Sequence, residues 1–236
     1  MESSKLAVLI DADNAQASIA AELLAEISRY GSSTIRRAYG DWTTTNLTGW
    51  KSALLDLAIQ PIQQFRFTTG KNATDSALII DAMDLLHTGD VDGFCIVSSD
   101  SDFTRLATRL RESGHVVYGF GEKKTPKPFV AACDKFIYTE LLRPNNQAVP
   151  APVEPDSPLK AAFLGAIDGA AREDGWALLA AVGALLVHAD PAFDARTYGF
   201  KKLGDLARAQ PYLEVKAVPT SEGAPTQTVY VRRGKT

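Results

Sequence analysis

Two short acidic runs, Asp11-Ala12-Asp13-Asn14 and Ser98-Ser99-Asp100-Ser101-Asp102, each follow an apolar stretch, and a further carboxylate, Asp75, comes just after Gly70-Lys71-Asn72-Ala73-Thr74. Carboxylates gathered at one spot repel unless they are protonated or neutralised. The usual counterweight is a hard, oxygen-seeking cation such as Mg²⁺ or Mn²⁺. If the fold delivers these three regions to one rim, the chemistry they predict is that of a divalent metal site.

Each residue also has a purely structural reading. Asp100, Ser101 and Asp102 precede a helical pattern, where such residues cap free N–H groups and complement the helix dipole. For Asp102 capping and catalysis weigh equally, whereas Asp100, at the strand tip, is expected to take the metal role. Asp13 or Asn14 would cap the helix that follows, and for Asp13 capping is preferred to metal contact. Asp75 would serve as a first-turn acid. Asp81 falls in the apolar run Ile79-Ile80-Asp81-Ala82-Met83 and is expected to have a buried partner or to support the pocket, while Asp84 reads as surface.

The elements that must position these groups follow from periodicity. Strand-like runs at Lys5–Ile10, Thr34–Tyr39, Ile62–Phe67, Gly93–Val97, Val116–Phe120 and Phe136–Tyr138 alternate with helical patterns. The helices are expected at Ala17–Tyr30, Leu47–Ala58, Thr74–His87, Phe103–Ser113 and Pro128–Ala132. This alternation predicts an α/β fold, a parallel sheet covered on both faces by helices. In such a sheet ligands bind beyond the carboxyl ends of the strands, where the acidic runs sit.

Residues 144–158 carry five of the 12 prolines and read as an extended spacer, reaching up to about 3.1 Å per residue. The expected domains are therefore 1–143, a 144–158 linker, and 159–236. The last has helical patterns at Leu159–Arg172, Ala177–Ala189 and Phe200–Ala209, then strands Leu213–Ala217 and Thr228–Arg232 around a turn at Ser221-Glu222-Gly223. Its size is that of a small winged-helix-like module.

The chain of 236 residues has 25 Lys and Arg against 28 Asp and Glu, a net charge of −3. As a whole this argues against a simple nucleic-acid binder. By region, residues 1–143 hold 15 basic and 18 acidic groups, and residues 159–236 hold 10 and 8, so the appended module is net positive. An apolar content of 45% with 22% charged residues excludes disordered and fibrous classes. No apolar run approaches the roughly 20 residues of a membrane helix, Met1–Lys5 does not read as a signal peptide, and Cys95 and Cys133 offer neither a disulfide framework nor metal-ligand spacing. A cytoplasmic protein without membrane association is expected.

Residues 5–142 resemble the NYN domain, a PIN-like nuclease domain. The motifs that carry the resemblance are Leu6-Ala7-Val8-Leu9-Ile10-Asp11 with Asn14, Lys71 before Asp75 and Ala77-Leu78-Ile79-Ile80-Asp81, Val97-Ser98-Ser99-Asp100-Ser101-Asp102-Phe103, and Ala132-Cys133-Asp134-Lys135-Phe136-Ile137-Tyr138. The resemblance implies a metal-dependent ribonuclease, expected to cut endonucleolytically, with Asp11, Asp75, Asp100 and Asp102 holding Mg²⁺ or Mn²⁺. Asn14, Asp81 and Ser99 would line or support the pocket. Basic residues must then hold the RNA backbone against these acids, and the candidates are Lys71, Arg36, Arg37, Lys123 and Lys124. Trp42 would stack a base or plug the core.

The second domain resembles the OST-HTH, or LOTUS, module through Phe193-Asp194-Ala195-Arg196-Thr197-Tyr198-Gly199-Phe200-Lys201-Lys202-Leu203-Gly204-Asp205-Leu206 and Leu213-Glu214-Val215. This implies binding of RNA or of a protein partner. Arg196, Lys201 and Lys202, together with Arg232, Arg233 and Lys235, would form a cationic face for phosphates. Two competing readings stand beside the nuclease. A non-catalytic RNA-binding adaptor would retain the fold without turnover. A haloacid dehalogenase-like phosphatase would use Asp11 as nucleophile and Asp13 as general acid, although Asn14-Ala15 breaks that pattern.

Overall fold

The computed structural model describes residues 3–65, 73–143, 157–219 and 227–234. The chain divides into two compact units, Met1–Asn146 and Gln147–Thr236.

In the first unit six strands form one all-parallel sheet: β1 (Lys5–Asp11), β2 (Ser32–Gly40), β3 (Gln60–Gln63), β4 (Gly93–Val97), β5 (Val116–Gly121) and β6 (Lys135–Tyr138), in the order β3-β2-β1-β4-β5-β6. They are joined by helices α1 (Ala20–Ile27), α2 (Trp50–Asp56), α3 (Ala73–Thr88), α4 (Thr104–Glu112) and α5 (Lys127–Ala132). The strand order reverses between β1 and β4. That is the switch point at which neighbouring crossovers leave in opposite directions and open a crevice.

Strand alternation decides what faces that crevice. Leu6, Val8 and Ile10 of β1, with Cys95 and Val97 of β4, share one core cluster with Leu23, Leu24 and Ile27 of α1 and Trp50 and Leu54 of α2. Successive side chains point to opposite faces, so Ala7, Leu9 and Asp11 on β1, and Phe94, Ile96 and Ser98 along β4, belong to the other face. Helix α3 packs on β1 and β2. Because it returns antiparallel to the strands, its first turn, with Asp75, lies at their carboxyl ends.

Next to the Ser98–Asp102 segment the fully buried Phe103 packs against Phe129 of α5 with the rings tilted and their centroids 6.4 Å apart, and Phe129 meets Phe136 of β6 edge-on at 5.8 Å. This aromatic column anchors the turn that carries the carboxylates.

In the second unit α6 (Pro158–Ala170), α7 (Leu179–Ala189) and α8 (Leu203–Arg208) enclose a core of Leu159, Phe163, Ile167, Val182, Leu186 and Leu206. They pack with an antiparallel sheet of β7 (Ala177–Leu178), β9 (Gln227–Arg233) and β8 (Leu213–Pro219), in that order. Ala177–Leu178, expected as the start of a helix, instead pairs with β9 at Ala177↔Val231 and Leu178↔Tyr230. Two residues running straight into a helix are too short for a period-2 signal. The helix expected over Phe200–Ala209 begins only at Leu203, after a left-handed Gly199 at φ 83° that breaks the chain direction. The expected turn at 221–223 lies outside the described residues. Among the described residues no helix is long and apolar enough to cross a membrane.

Candidate metal centre

Asp75, Asp100 and Asp102 each bring a carboxylate oxygen within 4.8 Å of the others'. Two chain segments supply them: the first turn of α3, and the connection from β4 to α4. Asp11 ends the central strand β1 and sits deeper, 1% exposed. Its Oδ2 accepts hydrogen bonds from Asn14 Nδ2 at 2.7 Å and Ser98 Oγ at 2.8 Å, while the buried Oδ1 has no hydrogen-bond partner among the described residues.

Electrostatics follow from this crowding. Burial, then the charges of Asp11, Asp100 and Asp102, push the Asp75 carboxyl up to about 6. Burial also raises Asp11, against the hydrogen bonds from Asn14 and Ser98 that favour its ionised form. A site that holds several carboxylates this close, one of them with an orphaned buried oxygen, fits a hard divalent cation with oxygen ligands. A neutral or anionic ligand would leave the repulsion unrelieved.

Capping and clustering prove compatible in Asp100. Its Oδ1 accepts the Asp102 N–H at 2.9 Å and caps the short turn Ser101–Phe103, and the same carboxyl joins the cluster. Asp102 is exposed and contributes to the cluster from within that turn. The expectation that Asp13 or Asn14 caps the next helix needs correction. Asp13 Oδ2 accepts from the Thr74 hydroxyl at 3.0 Å, tying β1 to the start of α3, and Asn14 clamps Asp11, while the first helical turn starts from Gln16 with no side-chain cap.

Ser98, rather than Ser99, is the serine that organises the centre. Its hydroxyl donates to Asp11 and accepts the Asp100 N–H at 3.1 Å, linking the two acidic runs. The register that aligns Ile10 with Val97 brings Asp11 and Ser98 opposite each other. Parallel register is set by pairing across some 85 residues, so the signal available in sequence was only that Ser98 shares the parity of Phe94 and Ile96. Ser99 Oγ instead accepts the Glu122 N–H at 2.8 Å and fastens the loop to the end of β5.

Asp81 and the strand β2 arginines stand apart from the cluster. Asp81 Oδ2 accepts from Arg37 Nη1 at 2.9 Å and from the Tyr39 hydroxyl at 2.8 Å, which locks α3 onto β2. Arg36 donates to Ser33 Oγ and to the Leu57 carbonyl. Both guanidinium groups are thus engaged within the fold rather than presented to a phosphate. Lys124 pairs with Glu122 at 2.7 Å on the surface, and the Lys123 backbone N–H bonds Glu140. Lys71 lies outside the described residues. Trp42 is a plug: it packs on the core with Nε1 bonded to the Ile62 carbonyl at 2.9 Å.

In the second unit Lys201 and Lys202 are exposed just before α8. The expected cationic face is otherwise largely neutralised, since Arg196 pairs with Asp194, Arg232 with Glu214 and Arg233 with Asp168. Lys235 lies outside the described residues.

Gly121 offers a test of how tightly the centre is held. A Cβ there would lie 2.5 Å from the Ser98 carbonyl, 2.7 Å from Thr125 Oγ1 and 2.9 Å from the Phe136 ring. Gly121→Ala is expected to cost about 1–3 kcal/mol in stability. Thermal unfolding checks this, and an unchanged midpoint would show that Ser98 moves freely.

A sequence profile of the NYN domain matches residues 5–142 and one of the OST-HTH/LOTUS domain matches residues 154–224. None of the curated proteins compared matches the chain. Among solved structures, a protein of unknown function from Vibrio parahaemolyticus shares the fold with a TM-score of 0.50 at 18% identity, over 57% of this chain and 92% of its own. An uncharacterized protein from Nitrosomonas europaea matches at 29% identity and a TM-score of 0.30, over 38% of this chain and 85% of its own. A fragment of a Chromobacterium violaceum protein matches at 32% and 0.27, over 35% and 87%. With the NYN match spanning more than half its length, through both acidic runs and Asp75, the chain belongs to the NYN-domain family and carries an OST-HTH/LOTUS domain behind it.

Proposed function

We propose that the protein is a metal-dependent ribonuclease that hydrolyses RNA phosphodiester bonds, cutting within the strand. In this reading residues 1–143 form the nuclease domain, 144–158 a spacer, and 159–236 a module that holds RNA. The observation that carries the proposal is the convergence of Asp75, Asp100 and Asp102 above Asp11 at the switch point of an NYN sheet.

Asp75, Asp100 and Asp102 would hold Mg²⁺ or Mn²⁺, and Asp11 would add charge from below. Such a cation supplies positive charge to the phosphoryl oxygens and makes water acidic enough to lose a proton near neutral pH. The chain's own contribution is preorganisation. Ser98 and Asn14 fix Asp11, the Asp100 carboxyl is held by its own turn, and the Thr74–Asp13 bond sets the start of α3 against β1. Residues fixed this way lose little freedom when substrate arrives. The phosphatase reading finds no support in the geometry, because a nucleophile needs an accessible oxygen and both Asp11 oxygens are enclosed.

The test is cleavage of single-stranded RNA by the purified chain. Turnover is expected with Mn²⁺ or Mg²⁺ and none in EDTA. RNA binding without turnover under any divalent ion would replace the nuclease by the adaptor. Hydrolysis of a phosphate monoester with RNA left intact would replace it by the phosphatase.

A further inference from the structure

The outward face of the small sheet interleaves aromatic rings with cations. Val231 and Ala177 are fully buried on the core side, and Val215 and Val229 pack against the same core. By alternation, Glu214 and Lys216 of β8 and Tyr230 and Arg232 of β9 face the other way, and Trp176 precedes the inward Ala177. Lys216 pairs directly with Tyr230, and Glu214 with Arg232. Across the tight turn at Gly175, the Arg172 N–H bonds the Trp176 carbonyl, which brings Arg172 to the same end of the sheet.

The contacts on this face form a ladder. Lys216 Nζ lies 3.9 Å from the Trp176 ring centroid and 5.5 Å from that of Tyr230. The Arg232 guanidinium is 4.5 Å from the Trp176 centroid, and that of Arg172 is 5.9 Å from the Tyr230 centroid. Arg232 is also held by Glu214, its Nε donating at 2.7 Å. Arg172 and Lys216, both exposed, form no ion pair with any described residue. Their positive charge is turned to solvent beside two part-buried rings.

We propose that this face docks single-stranded RNA, with bases stacking on Trp176 and Tyr230 while Arg172 and Lys216 meet the phosphates. The proposal rests on the RNA-binding part of the function proposed above, and it locates that binding on the sheet rather than at Lys201 and Lys202. Alternating rings and cations match a polymer whose bases have π-faces and whose backbone is anionic. An acidic peptide would use the cations and leave the rings idle. An exposed lysine resting on a ring is displaced at small cost, and moving aside it reaches the adjoining phosphate.

The experiment measures anisotropy of a fluorescein-labelled oligouridylate of about 15 nucleotides with the full chain in EDTA, which separates binding from turnover. Trp176→Ala is expected to weaken binding roughly tenfold, and Trp176→Phe to restore most of it, as stacking requires. Lys216→Ala should weaken binding and reduce the slope of log affinity against log salt by about one. Lys216 is exposed and outside the core, so its variant keeps the fold, and matching circular-dichroism melts verify this. If the parent binds RNA while Trp176→Ala and Lys216→Ala bind within twofold of it, the surface is wrong and the nuclease reading stands. Losses confined to Lys201→Ala and Lys202→Ala would overturn it in the same way. A polyglutamate peptide that depends on these residues where RNA does not would also overturn it. A parent that neither binds nor cleaves RNA overturns both.

Discussion

Asp100→Asn is expected to lower RNA cleavage by about a hundred- to a thousandfold while the protein stays folded, a loss comparable to removing a main electrostatic stabiliser from an active site. Asparagine is the informative replacement because Asp100 does two jobs. Its Oδ1 accepts the Asp102 N–H at 2.9 Å, and an asparagine oxygen can accept the same bond with equal capping preference. What the variant loses is one formal charge and a hard ligand in the group formed with Asp75 and Asp102. Folding and chemistry are therefore separated within one side chain.

A binding measurement makes the expectation sharper. A ligand present at about a hundred times its dissociation constant stabilises the folded state by about 2.7 kcal/mol. The parent should accordingly melt several degrees higher with Mn²⁺ than in EDTA, and Asp100→Asn should show a much smaller rise. Equal stabilisation of both proteins, or cleavage within tenfold of the parent, would remove Asp100 from the metal set.

These residues also show which parts of the molecule could be read from the sequence. The alternating strands and helices, and the acidic runs at strand ends, are local signals, so the parallel sheet and the rim position of Asp75, Asp100 and Asp102 were legible. The partners were not. Asp13 reads as a cap because a cap is a local feature, yet its bond to Thr74 spans 61 residues. Arg36 and Arg37 read as phosphate ligands because an acidic site that takes RNA needs basic residues to hold the backbone. The structure has Arg37 on Asp81, 44 residues away, and Arg36 on the Leu57 carbonyl. Ser98 and Ser99 cannot be told apart locally for the same reason, because only the register of β1 against β4 distinguishes them. The cation–aromatic face of the second unit was hidden further, since β7, which brings Trp176 beside β9, is two residues long. Composition and spacing carry the fold and the acids. Long-range pairing decides which neighbours those acids have.

Asp75→Asn is expected to make the metal-free protein more stable near pH 7.5 even as it abolishes cleavage. The folded carboxyl titrates at about 6, raised first by burial and then by its acidic neighbours, against 3.8 for an ordinary aspartate. Well below pH 3.8 both folded and unfolded chains hold the proton and nothing is lost. As pH rises from about 4 to 6 the unfolded chain releases it first, so the folded state falls behind until both are ionised. The full shift corresponds to about 3 kcal/mol, and because Asp75 is only part-buried a value of about 1–2 kcal/mol is the better expectation. The helix dipole opposes this gain. Asp75 sits in the first turn of α3, where an acid favours the helix by about 0.3–1 kcal/mol, and asparagine forfeits that. Burial and repulsion together outweigh the dipole, so in EDTA the variant should unfold at higher denaturant than the parent at pH 7.5 and at about the same point at pH 4. With Mn²⁺ in excess the order should invert, because the cation rewards the ionised carboxylate that the variant lacks. Denaturant unfolding of both proteins at the two pH values, with and without Mn²⁺, reads all four comparisons. A variant no more stable than the parent in EDTA at pH 7.5 would mean that the charges of Asp11, Asp100 and Asp102 are already relieved without a cation, and the electrostatic case for a metal centre would fall with it.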